Sequence, residues 1–134
     1  MQKHSPFDPC GHIKLSVSKF DKSYLFYKGI FDLLQYGEVS HKEKKAGWVS
    51  PDGYGISISQ AEIIDYEYKF LAPGLHHLCL KADVKEKVDQ VHQFVSKEGV
   101  LIFDTPQAYP EYTDKYYAVF FADLDGIKIE IAYY

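Results

Sequence analysis

The chain contains no arginine; all 15 of its basic residues are lysines. Planar, bidentate clamps on carboxylate or phosphate groups are therefore out of reach. That counts against nucleotides, nucleic acids and polyanions as partners, although a lysine can still hold one anionic group as a point charge. The formal charge of −4 gives no basic footprint for nucleic acid either. Cysteine is scarce. Cys10 and Cys79 are too few for a disulfide framework and read as free thiols of a reducing cytosol. No apolar run approaches the length of a membrane span, and the first residues hold no apolar core of signal-peptide size. The expectation is a cytoplasmic protein with no membrane partner.

What remains describes an ordinary globular chain. Its 134 residues suit one domain, 1–134, and 46% hydrophobic with 25% charged residues is not the balance of a disordered segment. Aromatic content is high at 16%, with 12 tyrosines; part of that must line a core and part can line a pocket.

The most informative feature is a phrase that occurs twice. It reads His12-Ile-Lys-Leu-Ser-Val-Ser near the start and His77-Leu-Cys-Leu-Lys-Ala-Asp past the middle. In each copy aliphatic residues alternate with polar ones, the pattern of a half-buried strand. The first copy leads into a helix capped by Ser18 or Asp21 and running to about Leu34. The second leads into a helix from Lys85 to about Lys97, stopped by Gly99. Further strands are expected over 36–41, 46–50 and 55–60 in the first half, and over 100–103, 116–122 and 127–132 in the second, with a long polar loop over 105–115. Residues 1–10 read as a loose lead-in. The internal repeat, about 12–62 and 77–132, thus reads β-α-β-β-β twice. Halves of about 60 residues are too small to bury a good core alone, so they are expected to share one sheet or one cavity.

Strand parity puts His12, His77 and Glu130 on the polar faces of three strands. Neutral imidazoles and a carboxylate suit Fe(II), Mn(II), Zn(II), Ni(II) or Co(II). Two histidines with one carboxylate form a facial set that leaves coordination positions open. No residue declares itself as a catalytic base.

The repeated histidine strands, Ser23-Tyr-Leu-Phe26-Tyr27, Gly74-Leu-His-His77-Leu-Cys-Leu and Phe121-Ala-Asp123-Leu-Asp125-Gly126-Ile-Lys-Ile-Glu130-Ile together resemble the vicinal oxygen chelate superfamily. That group contains glyoxalase I, the fosfomycin- and bleomycin-resistance proteins and the extradiol dioxygenases. The resemblance spans residues 12–132. It implies an α+β fold of paired βαβββ modules, forming a half-open eight-stranded curved sheet or barrel. It implies a divalent metal on His12, His77 and Glu130, and a small-molecule substrate with vicinal oxygens. It also implies dimerisation as a common habit of relatives, with a homodimer left open here.

Glyoxalases usually carry a glutamate at a fourth position, at the end of the first half. Here the matching strand offers only Ser57, Ser59, Gln60 or, past its end, Glu62. Parity and resemblance together nominate Lys14, Trp48, Ser59, Cys79, Tyr116 and Phe120 as ligand-lining residues, Trp48 as an apolar wall. Two functions follow from the resemblance. One is a metal-dependent lyase, isomerase or dioxygenase. The other is a non-catalytic module that binds a drug or aromatic ligand, as bleomycin-resistance proteins do.

Overall fold

Alternation of apolar and polar residues governs the first strand, β1 (His12–Val17): Leu15 and Val17 are buried, while His12, Lys14 and Ser16 are exposed. This computed structural model describes residues 10–134, so the lead-in expected over 1–10 lies outside the described residues except for Cys10. The chain forms two units, Met1–Asp65 and Tyr66–Tyr134.

In the first unit β1 is followed by α1 (Phe20–Leu33), β2 (Gly37–Lys42), β3 (Lys45–Val49) and β4 (Gly55–Gln60). The sheet order is β1-β4-β3-β2, with β1 and β4 parallel and the other pairs antiparallel. The helix buries Phe26, Tyr27, Ile30 and Phe31 and packs on β3 and β4. Its partners include Trp48, Ile56 and Ile58, each at most 1% exposed. Burying side chains of this size contributes about 1.5–3 kcal/mol each, which is what holds the helix to the sheet.

The start of α1 differs from the sequence expectation. The residue at the cap is Lys19, not Ser18 or Asp21, and it makes no side-chain cap hydrogen bond. Instead Gln60 reaches in from the end of β4. Its Oε1 accepts from the Phe20 N–H at 3.0 Å and its Nε2 donates to the Ser18 carbonyl at 2.8 Å. The reason is topological. β4 runs parallel to β1 with Gln60 opposite Val17, so it ends beside the point where the helix begins.

The second unit repeats the plan with β5 (Leu78–Lys81), α2 (Lys85–Ser96), β6 (Ile102–Ala108), β7 (Tyr117–Ala122) and β8 (Lys128–Tyr133). The order β5-β8-β7-β6, with β5 and β8 parallel, reproduces the first sheet strand for strand. Val88, Val91 and Val95 of α2 are fully buried. The architecture is therefore α+β, two βαβββ modules whose eight strands fall into two four-stranded sheets.

The turn before β8 is built by Asp123. This buried carboxylate accepts from the N–H groups of Asp125 and Ile127 at 2.9 and 2.8 Å, and Gly126 supplies the φ of 88° that the turn requires. β6 departs from expectation. It runs to Ala108, where the sequence suggested a loop from Thr105. Pro106 is tolerated because β6 is an edge strand, and the pairing with β7 shifts register between Asp104 and Gln107, around the residue that lacks an N–H. Among the described residues no helix is long and apolar enough to cross a membrane.

Candidate functional site

β8 lies between β5 and β7 and places Glu130 opposite Cys79 on one side and Phe120 on the other. Its neighbours Ile129 and Ile131 point into the core and are fully buried. Glu130 faces the opposite side of the sheet and is still only 4% exposed. A carboxylate at that depth is costly unless its oxygens are paired. Oε1 lies 3.1 Å from His77 Nε2, and Oε2 accepts a hydrogen bond from the Tyr116 hydroxyl. The other ring nitrogen of His77, Nδ1, sits 2.7 Å from His76 Nδ1, so one of these two donates and the other accepts. His76 in turn packs edge-on to Phe70, with ring centroids 4.9 Å apart. His77 is thus fixed at both nitrogens and Glu130 at both oxygens.

The flanking groups respond to this carboxylate. Burial and the hydrogen bond to Glu130 hold the Tyr116 phenol well above its usual range. Cys79 keeps some surface open to solvent, but removal of its thiol from bulk water, with the Glu130 charge beside it, pushes it up to about 12. Burial and the neighbouring charge thus disfavour the thiolate, the nucleophilic form of Cys79.

Beside this polar cluster the sheet is aromatic. Phe120 packs with Ala118 and Ala132, and Phe103, Tyr109 and Tyr116 close over them. The Tyr109 hydroxyl is buried and has no hydrogen-bond partner among the described residues. Lys128 shares the Glu130 face, two residues earlier on β8, with its ammonium beside the Phe70, Phe103 and Phe120 rings. The sequence reading did not nominate Phe70, Phe103 or Tyr109. Tyr109 lies in the stretch read as a loop, and only the extension of β6 brings it onto the sheet.

The first unit presents a plainer face. His12, Lys14 and Ser16 of β1 lie opposite Gly55, Ser57 and Ser59 of β4. A Cβ at Gly55 would sit 3.4 Å from that of His12, so glycine there leaves the histidine room. Gln60, one of the fourth-ligand candidates, is committed to the start of α1. Glu62 lies past the end of β4 and is exposed. Trp48 does not share this face. It is 1% exposed, 4.8 Å from Phe31 and 5.8 Å from Tyr24 by ring centroids, so the apolar wall expected of it belongs to the helix-facing core. On β3 it is the neighbouring Gly47 that lies against Ser40 and Ser57.

The two sheets can be compared by register. Lys14 pairs with Ser57 where Cys79 pairs with Glu130. Ser57, rather than Ser59, is therefore the first-half counterpart of Glu130. Among the described residues, no three or more His, Cys, Asp or Glu side chains are grouped to bind a metal. The second unit offers an adjoining imidazole nitrogen and carboxylate oxygen, each supported on its far side. That donor pair and its supports fit a divalent transition metal that takes further ligands elsewhere.

Residues 10–131 match the family model described as the Glyoxalase/Bleomycin resistance protein/Dioxygenase superfamily. The chain is 29% identical over 121 residues to the uncharacterized protein YqjT of Bacillus subtilis (strain 168), covering 90% of this chain and 94% of that protein. A glyoxylase/bleomycin resistance protein/dioxygenase domain from Frankia sp. EAN1pec superposes with a TM-score of 0.75 at 22% identity, covering 95% of this chain and 92% of the other. The fosfomycin resistance protein FosX from Mesorhizobium loti superposes with a TM-score of 0.66 at 18% identity, covering 96% and 93%. These structural likenesses show the fold, and the sequence match shows the family. The chain belongs to the Glyoxalase/Bleomycin resistance protein/Dioxygenase superfamily.

Proposed function

We propose that this protein is a divalent-metal-dependent enzyme acting on a small substrate with two neighbouring oxygens, its metal held by His12, His77 and Glu130. The observation that carries the reading is the His77–Glu130 pair, 3.1 Å apart, with His76 behind the imidazole and Tyr116 behind the carboxylate. Groups behind a ligand fix its orientation and basicity, and such groups are the usual companions of a metal site.

When bound, the metal supplies Lewis-acid stabilisation to negative charge developing on a substrate oxygen. The chain's own residues do the rest. Tyr116 holds Glu130 by one oxygen and leaves the other directed toward His77. Phe120, 8% exposed and 6.0 Å from the His77 ring, covers one side of the pair with apolar surface.

A second reading has its own support. The aromatic surface of Phe103, Tyr109, Tyr116 and Phe120 suits a module that holds a flat ligand without turning it over. Metal content separates the two. Protein equilibrated with Mn(II) and desalted should retain about one metal per chain or per shared site. His12→Ala, His77→Ala and Glu130→Ala should each lower the affinity by at least about 100-fold, since even groups behind a ligand cost 10–100-fold. A parent protein that retains no stoichiometric metal sinks the enzyme reading and leaves the binding module. Full retention in His12→Ala removes His12 from the set. A homodimer completing the site across two chains would show as metal binding that depends on protein concentration.

A further inference from the structure

We propose that Lys128 forms an anion subsite on the second unit's sheet, which takes the carboxylate of a small aromatic ligand beside the His77–Glu130 pair. The proposal rests on the metal reading above only for the other end of that ligand. Lys128 Nζ lies 4.7 Å from the Phe70 ring, 5.1 Å from Phe103 and 5.0 Å from Phe120. Phe70 and Phe103 are themselves in contact, with centroids 5.4 Å apart, so the rings form a box rather than scattered neighbours. Ring faces attract a cation and fix its place. They offer no acceptor to its three N–H donors.

No carboxylate completes the site. Lys28, Lys44 and Lys87 each pair with an aspartate, while Lys128 has no ion pair or hydrogen bond among the described residues. It is only partly exposed, so solvent does not do that work in full either. An ammonium that is oriented, partly desolvated and not neutralised is prepared for an incoming anion.

The second observation is independent. The buried Tyr109 hydroxyl also lacks a partner, and its ring lies 5.7 Å from Phe120, one of the rings of the Lys128 box. A hydroxyl buried in that way needs an acceptor, and a ligand oxygen would supply one. Two uncommitted donors therefore flank one aromatic surface, on the same sheet face as Glu130. Lys128 and Glu130 are two residues apart on one strand, a spacing of about 7 Å. That is the length of a single ring with a carboxylate at one end and adjacent oxygens at the other. With no arginine in the chain, the anion is met by a lone lysine as a point charge, through one carboxylate oxygen, and not by a bidentate clamp.

The test uses three probes on the full chain equilibrated with Mn(II), by anaerobic calorimetry. They are catechol, benzoate, and catechol bearing a carboxylate para to one hydroxyl. Lys128→Gln should weaken the carboxylated catechol and benzoate by at least about tenfold, the loss of one charge-assisted hydrogen bond. Catechol should change by less than about twofold, because only the anion meets Lys128. Lys128→Arg, which keeps the charge, should retain most of the benzoate affinity. In the unaltered chain, benzoate should shift the ε-methylene carbon resonance that disappears in Lys128→Arg, and no other lysine resonance. Equal loss for catechol and benzoate, or an unmoved Lys128 resonance under saturating benzoate, overturns the subsite. Lys128-dependent benzoate binding in a chain that fails to bind catechol or Mn(II) keeps the subsite and removes the metal reading.

Discussion

The two sheets share one strand order and differ in what they carry. In the first, the face that holds His12 is lined by Lys14, Ser16, Ser57 and Ser59, side chains that are small or free to reach solvent. In the second, the equivalent face buries a glutamate and braces it with His77 and Tyr116. The backbone plan is the same, so the difference is written in side chains at matched registers: Ser57 where the other unit has Glu130, Gly55 where it has Lys128. A duplicated fold can keep its core alternation in both halves and concentrate its chemistry in one. The core demands apolar residues at alternate positions in both halves, whereas the other face answers only to the ligand.

The largest effect should come from repairing this asymmetry. Ser57→Glu puts a carboxylate at the register position of Glu130. Gly47, next to it on β3, has no side chain, and a Cβ there would come within 3.6 Å of the Ser57 Cβ, so the glycine leaves space for the longer residue. If the register equivalence extends to ligand geometry, Ser57→Glu should tighten Mn(II) binding by at least about tenfold, the scale on which ligand surroundings act. The gain should vanish when His12→Ala is added. Competition against a metallochromic indicator measures it. An unchanged affinity would confine the metal site's carboxylate to Glu130 and end the comparison there.

Much of this was legible in the sequence, for reasons that can be named. β4 is bounded as read, Gly55–Gln60, because Ile56 and Ile58 alternate with serines and the turn before it carries Gly53 at a φ of 92°. The turn of Asp123 and Gly126 was recognisable because its geometry needs an acceptor at one position and a positive φ at the other. Parity put His77 and Glu130 on polar strand faces and the resemblance implied a shared metal; that β5 and β8 are adjacent and parallel is what the structure adds. What escaped was non-local. Nothing in 18–21 announces that Gln60, some 40 residues on, starts the helix. The polar stretch 105–115 read as a loop, and it is the edge position of β6 that lets Pro106 be a strand residue. The box around Lys128 draws one ring each from β6, β7 and the connection before β5, which no local pattern signals.

A middle-sized effect separates fold from function in the first unit. Gln60→Ala removes the acceptor of the Phe20 N–H and the donor to the Ser18 carbonyl. Loss of a helix-start partner costs about 0.5–2 kcal/mol, so the urea midpoint should fall with the slope unchanged. Mn(II) affinity should stay within about twofold if Gln60 is purely structural, far below the 10–100-fold cost of a ligand's supporting group. A tenfold loss of metal with intact stability would return Gln60 to the candidate fourth ligands.

The smallest effect tests whether the units also share their way of tying helix to sheet. In the first, Tyr24 of α1 donates to Glu38 of β2 at 2.6 Å; in the second, Tyr117 of β7 donates to Asp89 of α2 at 2.6 Å. The hydrogen bond to the carboxylate leads in pushing each phenol up to about 12, with burial and the nearby charge adding to it. The folded value lies above the unfolded value of about 10. The neutral phenol is therefore the form that stabilises the fold. Its contribution is complete below pH 10 and is lost as pH rises from 10 through about 12. Tyr24→Phe and Tyr117→Phe should each lower the melting temperature slightly at pH 8 and flatten its fall between pH 10 and 12, by similar amounts if the two ties are equivalent. Phenolate absorbance should show one late-titrating tyrosine fewer in each variant. Flattening in only one variant would mean that the halves share a strand order but not the contacts that fasten helix to sheet.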